Sequence, residues 1–293
     1  MKPTFMNKDL NDIKFSTSEP LAAANDDTAQ QHKSPLYIIK IGGNIIDDEQ
    51  KLASFIRNFA AINGNKILVH GGGKMATRIA ETLGISQQLI EGRRITDAET
   101  LKVVTMVYAG YINKNIVALL QAEGCNAIGL CGADANLVKA HKRVHPVTDY
   151  GFVGDVDGIN TPLVQQLLSA NFSLVCAPIT HDGQGSLLNT NADTIAQELA
   201  KGMSNLFEVS LIYCFEKPGV LMDANDDNSV IRQIDVASFG SLKKQNIISA
   251  GMIPKLQNAF TALQAGVHHI CIGHADELPA LIVLQSGTSI VHE

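Results

Sequence analysis

Tyr37-Ile38-Ile39-Lys40-Ile41-Gly42-Gly43 and Ile67-Leu68-Val69-His70-Gly71-Gly72-Gly73 decide the reading of this chain. Each is a short β-branched run of the kind that forms a buried strand, and each runs straight into a glycine cluster. Glycine places no side chain between a ligand and the backbone N–H groups. Consecutive N–H groups in such a turn, followed by a helix start, make an anion site. Two such sites on neighbouring strands, one of them carrying Lys40, imply two anionic groups brought together. Phosphoryl transfer has that requirement, because its catalysis is mostly positioning and charge stabilisation.

Outward from these stretches, strands and helices alternate. Strands are expected at 36–41, 66–69, 127–130, 174–177, 206–213, 267–272 and 288–291. Helices are expected at 48–63, 74–83, 98–123, 161–170, 191–201, 235–245, 255–265 and 276–284. The segment 136–156 breaks the pattern with alternating residues, Pro146 and the turn-like Asp149-Tyr150-Gly151, and reads as a β-hairpin excursion. The fold class is α/β, an αβα sandwich around a mostly parallel central sheet. Ligands then belong at the carboxyl ends of the strands, where both glycine clusters fall.

The bulk numbers narrow the function. The chain has 293 residues, 45% of them hydrophobic, with no Trp and few aromatics, so its core is aliphatic. The net charge of −6 excludes a general nucleic-acid binder, whose footprint is basic. Five scattered cysteines without a C-x-x-C read as reduced thiols of a cytoplasmic protein, and no His, Cys or carboxylate spacing points to a metal site. No apolar run is expected to reach membrane-spanning length, and residues 1–34 read as a polar, disordered tail without a signal-peptide core.

Two other glycine readings compete. Gly71-Gly72-Gly73-Lys74-Met75-Ala76 fits G-x-G-x-x-A, and Glu91 lies about 20 residues on, as an NAD site wants. The motif, however, sits on the second strand and Glu91 falls in a connection. No stretch supplies a Walker A loop. Tight turns alone would explain one cluster but not the flanking Lys40 and Arg94.

Further pieces occur in a fixed order: Gly92-Arg93-Arg94-Ile95-Thr96-Asp97, Asn113-Lys114, the run from Asp149 to Val156, Asn189-Thr190-Asn191-Ala192-Asp193 and Gly251-Met252-Ile253-Pro254-Lys255. With both glycine clusters, the ordered set resembles the amino-acid kinase family, in its acylglutamate branch, over residues 35–293. The resemblance implies the amino-acid kinase fold, with an acceptor lobe at 35–180 and an ATP lobe at 181–293. It implies transfer of the γ-phosphoryl of ATP to the γ-carboxylate of N-acetyl-L-glutamate, with Mg2+ as the ATP complex, in a cytoplasmic homodimer. N-succinyl-L-glutamate is the alternative acceptor, and a catalytically silent arginine- or nucleotide-sensing domain is the alternative function. A carboxylate is already nucleophilic at neutral pH, so the obstacle is anion repulsion, and cations and N–H donors must dominate the site.

Carried onto this sequence, the resemblance assigns Lys40, Lys255 and Asp193 to catalysis, the aspartate orienting the two lysines. It assigns Gly72, Gly73, Arg94 and Asn189 to the acceptor. Gly42, Gly43, Glu216, Lys217, Gly219, Val220, Leu221, Ile247, Ile248 and Ser249 go to the nucleotide, and no protein residue is assigned to a metal. Arg93 is expected to be solvated beside Arg94. Residues deciding the acyl group are expected on the 136–156 hairpin or near Tyr108 and Tyr111. The chain departs from the family at Tyr213-Cys214-Phe215-Glu216-Lys217-Pro218, where relatives carry a Thr-Asp-Val-like turn.

Overall fold

The structure is a computed structural model and describes residues 33–90, 93–248 and 252–292. The tail expectation for residues 1–32 and the assignment of Ser249 lie outside them, as do Glu91, Gly92 and Gly251. The elements in order begin with β1 (Pro35–Ile41), α1 (Gly43–Ile46), α2 (Glu49–Ala60), β2 (Asn65–His70), α3 (Gly73–Thr82), β3 (Leu89–Ile90), β4 (Arg93–Arg94) and α4 (Ala98–Thr105). A π-helical stretch, Met106–Ile112, joins α4 to α5 (Asn113–Ala122). Then come β5 (Ala127–Leu130), β6 (Val138–Lys142), β7 (Gly154–Ile159), α6 (Thr161–Ser169), β8 (Ser173–Cys176), β9 (Ile179–His181), β10 (Leu187–Asn189) and α7 (Ala192–Met203). The chain closes with β11 (Glu208–Phe215), β12 (Gln233–Ile234), α8 (Val236–Lys244), α9 (Met252–Gln264), β13 (His269–His274), α10 (Leu278–Ile282) and β14 (Thr288–Ile290).

The central sheet has the order β12-β14-β13-β11-β1-β2-β8-β5, parallel except where β13 meets β14. Strand β1 lies in its middle, bonded to β11 on one side and β2 on the other. Its side chains alternate between two cores, as a strand of period two buried on both faces must. Leu36 and Ile38 join the core covered by α6, α7, α8 and α9, and Ile39 and Ile41 join the core covered by α2, α4 and α5. Lys40 therefore points to the α7 layer. Helix α7 comes from the second half of the chain but packs on β1, β2 and β11, so both halves share one core.

A smaller sheet, β10-β9-β6-β7, stands beside the large one, and the 136–156 hairpin is its antiparallel β6–β7 pair. Helix ends shift from expectation by a few residues because local caps fix them. Asp48, Asp97, Asn160, Asn191 and Asp235 each accept a first-turn N–H with the side chain. Helix α9 starts at Met252, so Lys255 sits within its first turn and not at its start. The continuous helix Ala98–Ala122 is, by length and composition, apolar enough to cross a membrane, contrary to the expectation that no run is. Here Val103, Val104, Val107, Ile112, Ile116 and Leu120 bury one face of it in the core.

Candidate active site

Two clefts open at the carboxyl ends of β1 and β2 and share a wall made of Gly42, Gly43 and Gly73. The wall is backbone because the two glycine turns abut: a Cβ on Gly43 would stand 3.9 Å from the N–H nitrogens of both Gly73 and Lys74. Gly72 and Gly42 cap α3 and α1 without any side-chain hydrogen bond, unlike the polar caps elsewhere. The first N–H groups of α3 are thus left for a ligand. Gly72 has φ +151°, and a Cβ there would lie 2.3 Å from Ile112 Cδ1, so only glycine fits.

At the seam between the clefts stands a charged cluster. Lys40 Nζ is 2.7 Å from Asp193 Oδ1, and Lys255 Nζ is 3.6 Å from Asp193 Oδ2. The strand alternation of β1 aims Lys40 at α7, and Asp193 lies in the first turn of α7, held there by the Asn191 cap. Burial alone would push the Asp193 carboxyl up, but Lys40 and Lys255 outweigh it and hold it below the usual carboxylate range. Burial pushes the Lys255 ammonium down, with Asp193 opposing the shift and Lys40 adding to it. Phe215 lies under both lysines, its ring centroid 4.0 Å from Lys255 Nζ and 5.4 Å from Lys40 Nζ. The β1–β11 register pairs Lys40 with Tyr213, which puts Phe215, two residues on, on the same face. Tyr213 stacks on it with ring centroids 6.4 Å apart. Phe215 gave no signal in the sequence beyond its departure from the family turn.

The smaller cleft, about 240 Å³, is lined by Arg93, Arg94, Tyr108, Val153, Asn189 and the glycines 71–73. Arg94 is buried, and its guanidinium donates to Gly73 O at 3.0 Å, Thr77 Oγ1 at 2.8 Å and Gln87 Oε1. Among the described residues no carboxylate lies within ion-pair distance of it. A buried cation held only by neutral acceptors is a site for an anion. Asn189 Nδ2 donates to Thr96 Oγ1 at 3.0 Å, and its backbone N–H to Phe152 O at 2.8 Å, which seats it on the wall. Burial raises the Tyr108 phenol against the pull of Arg94, so Tyr108 stays a neutral donor.

Two expectations change here. Arg93 is half-buried and lines this pocket beside Arg94, where the sequence reading expects it solvated. Tyr111 is exposed and lies outside both clefts, one helical step past the buried Tyr108. Sequence reasoning also missed Thr77 and Gln87. Thr77 follows Gly73 by one turn of α3, a spacing that could have pointed to it.

The larger cleft, about 520 Å³, is lined by Gly42, Gly43, Lys74 and a mostly apolar wall of Phe215, Val220, Leu221, Ile247, Ile248 and Met252. Glu216, Lys217 and Gly219 line it as well. Among the predicted nucleotide residues, all of the described ones meet at this cleft. The Phe215–Lys217 turn therefore faces the cleft despite its departure from the family pattern.

Comparisons with known proteins follow this geometry. Residues 35–274 match the model of the amino acid kinase family. The chain is 53% identical over 261 residues to the acetylglutamate kinase of Bacteroides fragilis, covering 89% of this chain and 98% of that protein. It is 56% identical over 258 residues to the acetylglutamate kinase of Phocaeicola vulgatus, covering 88% and 99%. A solved structure, the N-acetylglutamate synthase of Neisseria gonorrhoeae complexed with coenzyme A and N-acetyl-glutamate, shares the fold with a TM-score of 0.74. The identity there is 20%, over 90% of this chain and 61% of that one.

Proposed function

The chain belongs to the amino acid kinase family, and from that premise we propose that it transfers the γ-phosphoryl group of ATP to the side-chain carboxylate of N-acetyl-L-glutamate. The product is the acyl phosphate N-acetyl-L-glutamyl 5-phosphate, and the reaction is the second step of arginine biosynthesis. The observation that carries the reading is the Lys40–Asp193–Lys255 cluster at the seam of two clefts that share a glycine wall.

In this reading the apolar cleft takes the adenosine of ATP and the polar pocket takes the acceptor. Residues 35–180 supply most of the acceptor lobe and 181–293 most of the ATP lobe. Arg94 grips the α-carboxylate through its planar fork, a task for which lysine lacks the geometry. Asn189 orients the acceptor, and the N–H groups of Gly72 and Gly73 meet its reacting γ-carboxylate end, where the phosphoryl group arrives. The γ-carboxylate then attacks the γ-phosphorus in line, the bond to the β,γ-bridging oxygen breaks, and ADP leaves with the electron pair. No general base is needed, because the nucleophile is already ionised.

Lys40 bridges donor and acceptor oxygens as charge redistributes, and Lys255 serves the ATP side. Asp193 holds both lysines in place through its two ion pairs. Mg2+ arriving with the nucleotide would supply charge neutralisation to its phosphates, beside the charge that Lys40 and Lys255 bring. Among the described residues no three His, Cys, Asp or Glu side chains gather to hold a metal.

The test is ATP-dependent acyl-phosphate formation, trapped as the hydroxamate, with N-acetyl-L-glutamate, N-succinyl-L-glutamate and L-aspartate in parallel. Turnover confined to N-acetyl-L-glutamate is expected. Turnover confined to the succinyl compound moves the acyl assignment, and none from a folded, ATP-binding protein leaves only the sensor reading. The same reading carries a cytoplasmic homodimer, supported by five unpaired cysteines and by Met106 and Tyr111 exposed on one helix. A monomer or a hexamer on sizing refutes the dimer.

A further inference from the structure

His70 ends β2 immediately before Gly71-Gly72-Gly73, and it faces away from the reacting groups. Its neighbours Ile67 and Val69 enter the α7 core, whereas Leu68 enters the core covered by α5, and His70 follows Leu68. The imidazole is fully buried. Its Nδ1 stands 2.9 Å from Gly71 O, and its Nε2 stands 3.2 Å from Asn113 Nδ2.

The partners fix the tautomer. A carbonyl oxygen only accepts, so Nδ1 carries the proton and donates to Gly71. Nε2 is then the acceptor and takes a hydrogen bond from the Asn113 amide. Asn113, itself fully buried, is pinned in that orientation because its Nδ2 also donates to Val175 O at 2.9 Å. Its Oδ1 accepts from Lys114 Nζ at 3.1 Å, and Lys114 donates to Gly129 O at 2.7 Å. A protonated imidazole would set two donors against each other at Nε2, so the network holds together only with a neutral histidine.

The carbonyl of Gly71 and the N–H of Gly72 belong to one planar trans peptide and point in opposite directions. Fixing that carbonyl toward His70 aims the Gly72 N–H away from the buried network, on the side where Gly72 lines the acceptor pocket. Glycine at φ +151° has no Cβ of its own to resist rotation of this peptide. We propose that His70, oriented by Asn113, is a positioning residue that sets the Gly71–Gly72 peptide so that the Gly72 N–H faces the transferring phosphoryl group. This rests on the acylglutamate kinase reading above. It gives the buried Asn113, held by its exposed neighbour Lys114, a positioning part that it does not play by contact with a substrate.

The test compares His70→Asn with His70→Gln in the hydroxamate assay, with wild type alongside. Asparagine keeps an amide N–H near the position of Nδ1 and so can still hold Gly71. Glutamine keeps a polar group near Nε2 and loses Gly71. Misaiming one donor by a fraction of an ångström should lower kcat by roughly ten- to hundredfold in His70→Gln, with both KM values near wild type. His70→Asn should recover most of that loss. Equal kcat in the two variants, or a change confined to KM, overturns the proposal. Should His70→Gln fail to fold, Asn113→Ser carries the same test, since a released imidazole must lower kcat at constant KM and an unchanged kcat overturns it. Wild type inactive on every acceptor would sink the functional reading itself, a result distinct from an active wild type with indifferent variants.

Discussion

The two clefts, which the proposed function assigns to acceptor and donor, meet at the same glycines but are built by different means. The pocket, about 240 Å³, is walled by buried and half-buried polar groups that hold one another: Arg94 on Thr77, Gln87 and Gly73, and Asn189 on Thr96. The donor cleft, about 520 Å³, is lined mostly by apolar side chains from the turn after β11 and from the start of α9. A pocket of prearranged donors rejects a wrong acceptor strongly, because its buried polar groups are then left unpaired. An apolar cleft binds by area and discriminates weakly. On the proposed function, the molecule thus concentrates specificity on the acceptor side and leaves the donor side to shape and to the phosphates.

The sharpest way to break this division is at the seam, which should serve both clefts equally. Lys40→Ala is expected to lower kcat by about a thousandfold with little change in either KM, measured by steady-state kinetics, because it removes charge stabilisation made in the transition state. A large rise in one KM would assign Lys40 to one cleft only.

The buried network behind the pocket should leave a signature in pH. Burial holds the His70 pKa at about 4, against an ordinary value of 6.5. The folded state therefore stays neutral while the unfolded state takes up a proton below pH 6.5. Stability from this group is complete above pH 6.5 and is lost progressively as the pH falls toward 4. The shift corresponds to about 3 kcal/mol. Denaturant unfolding at pH 7 and pH 4 should show that much extra loss in wild type relative to His70→Asn, and equal losses would remove His70 from the pocket's support.

Arg94→Lys probes the pocket itself. The charge stays but the fork is lost, so KM for the acceptor should rise by roughly thirtyfold while KM for ATP holds. A matching rise in KM for ATP would erase the distinction between the two sides. The smallest expected effect comes from the floor under the lysines. Phe215→Leu keeps the apolar bulk and removes the π-face, so kcat should fall by about three- to tenfold, in line with a partly buried cation–π contact. An unchanged kcat would make Phe215 simple packing.

Much of the fold was legible because its signals are local. The strand runs into Gly42 and Gly71 announced themselves, and the side-chain caps at Asp48, Asp97 and Asn191 place helix starts by chemistry within a few residues. The candidate site was legible in part. Arg94 stood out as a residue type, but its neighbours Thr77 and Gln87 lie on separate segments that no local pattern links. Arg93 reads as solvated in the sequence because two adjacent arginines look alike until the walls of the pocket, drawn from several separate segments, are assembled around both.

The sequence by itself determined the alternation of strand and helix, the glycine turns at the strand ends, and the even-numbered face of β1 that carries Lys40. These follow from side-chain period, backbone freedom and capping, all of which act within a few residues. The resemblance groups Lys40, Asp193 and Lys255, but only the tertiary structure decided how they meet and that Phe215 lies under both lysines. That depends on the β1–β11 register, which pairs Lys40 with Tyr213, and on the path of α7 across β1 and β2. Register and helix placement are set by packing two aliphatic cores against both faces of one sheet, a condition on the whole chain that no short stretch contains.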